Sequence, residues 1–297
     1  MTDAHCHVTG GDPTVRELLI GRDFVGVHPW ETENLSAEDV RRKTEDLKSR
    51  LVSSDSSPVA PLLGVGEIGL DRLKSHEISP RMRELFELQL KLAFEFHRPV
   101  VLHGAKCWGQ VVKAIQKCKA ETSHPLTSSP SHPLTSSPSH PISFLFHGFS
   151  RSDGLIPDIV ALNGYVSVGP AVLNDHAVNY RELVKKIPLD RLLLETDRTP
   201  ENAAECPSVR EVAAKVAELR GLSLAELEAL TDRNANGFLS KVPDSLAFAR
   251  SVRDNRKETE GERGMEKNMP GKKNMSGTAS ERTERANASE SARIAER

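Results

Sequence analysis

Six side chains able to hold a divalent cation are spread along this chain: His5, His7, Glu67, His103, His147 and Asp197. His5 and His7 come from the run Asp3-Ala4-His5-Cys6-His7. Successive strand side chains point to opposite faces, so these two imidazoles point one way while Ala4 and Cys6 point the other. Taken singly, each residue has a plainer reading. A histidine pair of this spacing also occurs on polar strand surfaces, and His103 or His147 alone would be a packed strand-end histidine. Glu67 would end a strand in a turn, and Asp197 would cap the segment that follows. What sets them apart is that each of the last four stands at or just past the end of its own apolar run. Four imidazoles and two carboxylates exceed the needs of one tetrahedral zinc and suit two divalent ions of the zinc, manganese or magnesium type. A carboxylate such as Glu67 can bridge them. Such a pair holds a water, lowers its pKa and stabilises the charge that grows in a hydrolytic displacement. Asp197 can both bind metal and take a proton from that water.

The elements that must position these residues alternate in type. Strand-like runs cover residues 23–28, 61–67, 99–103, 142–147, 164–168 and 191–195, besides the His-x-His strand and a short run at 18–20. The run 61–67 is too continuously apolar for a half-exposed sheet and reads as a buried parallel strand. Between the runs lie helices: 36–51, opened by Ser36 with Asp39 three residues on, then 80–97 with a 3.6-residue apolar period, and 108–119. Helices at 208–220 and 223–236 close the body. Strand–helix alternation with no hairpin signal predicts an α/β fold with parallel strands, and eight strand candidates favour a closed TIM (β/α)8 barrel. In such a barrel all strand C-termini meet on one face, so ligands far apart in sequence converge. Glu195 and Asp3 share parity with Asp197 and His5 and are expected just below them, in support.

Two segments depart from the pattern. Ser-His-Pro-Leu-Thr-Ser-Ser-Pro at 123–130 recurs letter for letter at 131–138, within a polar loop spanning 121–141. Its prolines exclude helix and central strand, and its histidines read as part of a tolerated loop expansion. Residues 250–297 are charged and nearly free of apolar side chains, the composition of a disordered tail, whereas 1–243 form the expected barrel. This tail holds 12 of the 40 basic and 9 of the 42 acidic residues, which leaves the body at a net charge of −5. An acidic body excludes gripping long duplex DNA by counterion release alone. No stretch has the composition of a signal peptide or of a membrane span. The four cysteines show no paired spacing, as free thiols in a reducing compartment would. A cytoplasmic, soluble protein is expected, with no oligomeric state implied.

The motifs Asp3-Ala-His-Cys-His7, Val27-His-Pro-Trp-Glu31, Gly64-Val-Gly-Glu-Ile-Gly-Leu-Asp71, Pro99-Val-Val-Leu-His103, Phe146-His-Gly-Phe-Ser150 and Leu193-Leu-Glu-Thr-Asp197 resemble, in this order, the TatD-related metal-dependent hydrolases. Asn234-Ala-Asn236 resembles that family's closing helix. The resemblance implies a barrel hydrolase with His5, His7, Glu67 and Asp197 on one metal and Glu67, His103 and His147 on the other. It also implies magnesium-dependent cleavage of DNA at ends or in single strands, commonly 3′ to 5′. His28 matches a histidine near the substrate. The chain departs from the family pattern in three places. From His7 to His28 it is short, so a compressed second β/α unit is expected. After His103 it has Gly104-Ala105-Lys106 where the family often has a serine and an arginine, which leaves Lys106 as a point charge for phosphate. After Asp197 it has Arg198-Thr199-Pro200 instead of serine-proline. The same metal pair also suits an amide or ester substrate, as in aminoacyl-tRNA deacylation, and a degenerate non-catalytic barrel is the non-enzymatic alternative.

Overall fold

A computed structural model describes residues 1–55, 62–74, 76–123 and 142–240. The repeat from residue 124 onward and the tail at 250–297 lie outside the described residues, and residues 121–123, expected in the polar loop, end a helix instead. The chain forms the TIM-type barrel that its alternating pattern predicts. Its strands are β1 (Thr2–Cys6), β2 (Arg16–Leu19), β3 (Phe24–Val25), β4 (Gly64–Asp71), β5 (Val100–Ala105), β6 (Phe144–Phe146), β7 (Gly164–Val168) and β8 (Leu192–Leu194). β1 and β2 form one parallel pair, β3 to β8 form a six-stranded parallel sheet in sequence order, and a parallel bridge from Ile20 to Phe24 links the two. On the other side the ring closes past the end of β8. There Asp197 N–H donates to the His5 carbonyl at 3.0 Å, and His7 N–H to the Arg198 carbonyl at 2.8 Å.

The helices are α1 (Ala37–Asp55), α2 (Pro80–Glu95), α3 (Trp108–Ser123), α4 (Ile156–Ala161), α5 (Val178–Lys186), α6 (Val209–Arg220) and α7 (Leu224–Leu239). Their starts follow the sequence signals. Ser36 and Asp39 cap each other at the start of α1, Ser79 caps α2 ahead of Pro80, and Ser-Glu capping boxes open α6 and α7. No helix lies between β1 and β2 or between β2 and β3. The expected compression therefore extends to both of the first two units, and Gly21 at φ +87° makes the second of these tight connections. No helix among the described residues is long and apolar enough to cross a membrane.

Two apolar clusters result. The larger lies between the outer sheet face and the helices, including Phe86, Leu90, Val111, Ile115 and Val212. The smaller takes a residue from each of the eight strands or its edge: Ala4, Leu18, Phe24, Leu63, Val101, Leu145, Tyr165 and Leu193. It fills the barrel and is plugged from below by Phe238 of α7, whose ring lies 5.9 Å from Phe24 and 6.0 Å from Tyr165. Asn234, in the predicted closing helix, fastens this plug by donating to the carbonyls of Leu189 and Leu192. Inward positions further along β5 and just past β6 and β8 carry His103, His147 and Glu195. The apolar fill therefore gives way to a polar floor at the strand C-termini.

Candidate metal centre

Glu67 is at the middle of the arrangement. β4 is longer than the apolar run suggests, because its pairing with β5 continues to Asp71↔Ala105. An extra residue on β4 between Val65 and Ile68 shifts the register, and such a bulge re-aims a side chain. Glu67 sits in it, buried at 4 % exposure. Gly69, at φ +156°, is pressed against His103, where any Cβ would collide with the His103 carbonyl oxygen. Glu67 and His103 therefore lie within paired strands and not at their ends.

The two oxygens of Glu67 face different partners. Oε2 lies 3.5 Å from His5 Nε2 and 3.7 Å from His7 Nε2. Oε1 lies 2.7 Å from His103 Nδ1, 3.2 Å from His147 Nε2 and 3.4 Å from His28 Nε2. Asp197 joins the first side, its Oδ1 being 3.3 Å from His5 Nε2 and 3.6 Å from His7 Nε2. The rings of His5 and His147 stack at 3.8 Å. Three overlapping groups of ligand atoms result: His5, Glu67 and His147; His5, His7 and Asp197; His28, Glu67 and His103. All six residues expected as ligands converge. His28, expected only near the substrate, stands inside the cluster, 3.4 Å from His103 Nδ1. Lys106 does not join it, standing exposed in the turn after β5.

Behind the cluster are carboxylates that hold it. Glu195 bonds His147 Nδ1 at 3.1 Å and accepts from Ser167 Oγ and Gly148 N–H. Asp3 accepts from the Thr196 hydroxyl and N–H, tying β1 to the segment that carries Asp197. Strand parity predicts this supporting position for both. It does not single out Asp71. Fully buried, its Oδ2 bonds His103 Nε2 at 2.8 Å and accepts from Trp30 Nε1 at 2.9 Å, while Oδ1 accepts from the N–H groups of Leu73 and Lys74. Gln89 of α2 likewise escapes sequence reasoning. Its buried amide accepts from Val27 N–H at 2.7 Å and donates to Val27 carbonyl at 3.2 Å, fixing the backbone one residue before His28. The motif Gly-Leu-Asp ending β4 is the one sequence signal for Asp71; Gln89 sits within a helical apolar face and offers none.

The electrostatics divide the histidines. Burial works against charge on His147, but the Glu195 and Glu67 carboxylates outweigh it and raise its pKa well above the ordinary value. His103 is likewise raised against burial by Asp71 and Glu67. His5 goes the other way, lowered by complete burial and by His147. Burial opposes charge on Glu67 too, yet His147 and the bonds from His103, His147 and His28 hold its carboxyl well below the usual range. Asp197 is also held low, by His5 and His7 against its desolvation. Asp3 is pushed by burial up to about 7, despite its bonds to Thr196.

Both ring nitrogens of His5 are buried without a hydrogen bond. Buried polar atoms are seldom left so, and a neutral imidazole aimed at two carboxylates is what a cation would complete. The residues present therefore fit a divalent metal. A cleft of about 1250 Å³ opens beside Asp197, with Arg151, His176, Lys186 and Glu195 among its walls.

A barrel with a buried His/Asp/Glu cluster toward the C-terminal side of its strands, beside an open cleft, is the arrangement that a metal-dependent hydrolase requires. The family model described as TatD related DNase matches residues 21–240, and this chain belongs to that family. A Bacillus subtilis protein named as an uncharacterized metal-dependent hydrolase, YabD, is 28% identical over 243 residues, covering 77% of this chain and 84% of its own. The 3′-5′ ssDNA/RNA exonuclease TatD of Cronobacter sakazakii is 27% identical over 222 residues, covering 71% of this chain and 73% of its own. The crystal structure of YjjV, a TatD homolog from Escherichia coli, shares the fold with a TM-score of 0.58 at 22% identity, over 80% of this chain and 97% of that one. An uncharacterized amidohydrolase from Saccharomyces cerevisiae aligns with a TM-score of 0.55 at 20% identity, over 75% of this chain and 80% of that one.

Proposed function

We propose that this protein hydrolyses phosphodiester bonds of DNA, at ends or in single strands, with two divalent ions held about Glu67. The observation that carries the reading is the division of Glu67, whose Oε2 faces His5 and His7 while Oε1 faces His103, His147 and His28. On this reading His5, His7 and Asp197 would hold one ion and His103 and His147 the other, with Glu67 available to both. His28 adjoins the second group and meets the substrate. Bound magnesium, manganese or zinc would supply Lewis-acid charge and an activated water.

The remaining work falls to the chain. Asp197, half-exposed at the cleft and kept ionised by His5 and His7, accepts a proton from the attacking water. Glu195 and Asp71 fix the rings of His147 and His103, so that one nitrogen of each is committed to a carboxylate and the other turns to the centre. Exposed Arg151 in the cleft wall, with exposed Lys106, offers positive charge to a polyanion that the acidic body otherwise repels, whereas Lys186 of the same wall is paired with Asp153. The name of the Cronobacter relative supports a single-stranded substrate and 3′-to-5′ polarity.

The test is incubation with 5′-labelled single-stranded DNA and Mg²⁺ or Mn²⁺, beside an Asp197→Asn control. A ladder that shortens with time and is abolished by both EDTA and the substitution is expected. A folded, metal-loaded protein that leaves DNA intact would refute the reading and turn the search to amide and ester substrates.

A further inference from the structure

Trp30 is outside the ligand set, yet it is the only exposed tryptophan, tyrosine or phenylalanine among the described residues, at 49 %. It is also held in place. Its Nε1–H donates to Asp71 Oδ2 at 2.9 Å, and its backbone N–H donates to His28 Nδ1 at 3.2 Å. Its ring centroid lies 4.7 Å from that of His28 and 6.0 Å from that of His103. The ammonium of Lys74 rests 4.7 Å from the indole centroid. A fixed, solvent-facing aromatic ring beside the metal ligands, with a cation on it, has a specific chemistry. Planar bases stack on such rings with little sequence preference, and an ordered ring loses little freedom when they do. A purely apolar ligand would leave the ammonium without an anion.

We propose that Trp30 is the stacking platform for the nucleobase that adjoins the scissile phosphodiester. The base takes the place of Lys74 on the ring, and the released ammonium meets the flanking phosphate. This inference rests on the nuclease reading above and adds the subsite that grips the substrate's base.

The chain has only two tryptophans, and Trp108 is buried at 4 % exposure against Gly104. Both indoles emit, and Trp30 is the one that a ligand in solution can reach and quench. The full-length protein in EDTA is titrated with the dinucleotide thymidylyl-thymidine, where no turnover occurs. Saturable quenching is expected, and it should vanish in Trp30→Phe, which removes the reporter. Equilibrium dialysis of labelled dinucleotide then separates stacking from the bond to Asp71. Trp30→Ala should weaken binding about 5- to 100-fold, whereas Trp30→Phe, which keeps a ring but loses the Asp71 bond, should retain most of it. Circular dichroism confirms that both variants fold. No saturable quenching at millimolar dinucleotide, or a phenylalanine variant as weak as the alanine one, overturns the platform. DNA cleavage with unmoved fluorescence overturns the platform alone. Saturable quenching by a folded, metal-loaded protein that cleaves no nucleic acid overturns the nuclease reading, and with it the scissile bond's place beside Trp30.

Discussion

Replacing Asp71 by asparagine should disarm one half of the metal centre while leaving the other half standing. The carboxylate is fully buried and accepts four bonds: Leu73 and Lys74 N–H on Oδ1, Trp30 Nε1 and His103 Nε2 on Oδ2. An asparagine of the same shape can satisfy the two backbone donors with its carbonyl oxygen. Its NH₂ then meets Trp30 Nε1–H and His103 Nε2–H, donor against donor. His103 escapes by moving its proton to Nδ1, the nitrogen that lies 2.7 Å from Glu67. That nitrogen then carries a hydrogen where it would have offered a lone pair. Loss of such a supporting partner typically costs 10–100-fold in metal affinity, or about 1.4–2.7 kcal/mol. Isothermal titration of the metal-free protein with Mn²⁺ reads this directly. The binding event that uses His103 should shift by that factor, and the event held by His5, His7 and Asp197 should stay within about twofold of wild type, since none of its groups touches Asp71. Equal weakening of both events, or no weakening, would refute the assignment of Asp71 to His103.

Other perturbations test other parts of the structure. Metal affinity should rise as pH increases through the region above about 6.5, with proton release. The reason is that His147 and His103 are held protonated in the metal-free fold by Glu195 with Glu67 and by Asp71 with Glu67. Their raised values also mean that the metal-free fold gains stability below the ordinary histidine pKa and loses it as pH climbs through the raised ones. Calorimetry in buffers of different ionisation enthalpy counts the protons, and a pH-independent affinity would contradict the protonation of His147 and His103. Gln89→Leu deletes both bonds to Val27 and leaves two backbone groups unpaired, which should lower stability by about 2 kcal/mol and reduce activity through His28. Urea melts and initial rates read the two effects. Phe238→Ala empties the barrel's plug and should cost about 3–5 kcal/mol in the same melts.

The convergence of the six candidate ligands was legible because side chains of this type are conspicuous where apolar runs end, and a parallel barrel gathers such ends on one face. The capped helix starts were equally plain, since Ser-x-x-Asp, Ser-x-x-Glu and Ser-Pro signals act locally and α1, α2, α6 and α7 begin where those signals stand. What escaped was whatever depends on register. The run at 61–67 begins before β4 and stops short of its end, because Gly66, Gly69 and Asp71 interrupt the apolar pattern while the backbone goes on pairing with β5. Asp71 acquires its partner His103 only through that pairing, and Gln89 acquires Val27 only when α2 packs against the sheet. The strand expected at 23–28 shortens to Phe24–Val25, since His28 turns away to cap the 3-10 turn at Pro29–Thr32. His28 thereby enters the cluster, a placement that no spacing in the chain announces.

The central claim is that Glu67 is shared between two ions, and metal content per chain tests it most directly. Elemental analysis of the wild type, Glu67→Ala and His103→Ala, each purified in the same Mn²⁺ buffer and checked for folding, is the measurement to make. A shared carboxylate requires two ions in the wild type, loss of both in Glu67→Ala, and retention of one in His103→Ala. A single ion in the wild type, or equal loss in the two variants, would contradict it.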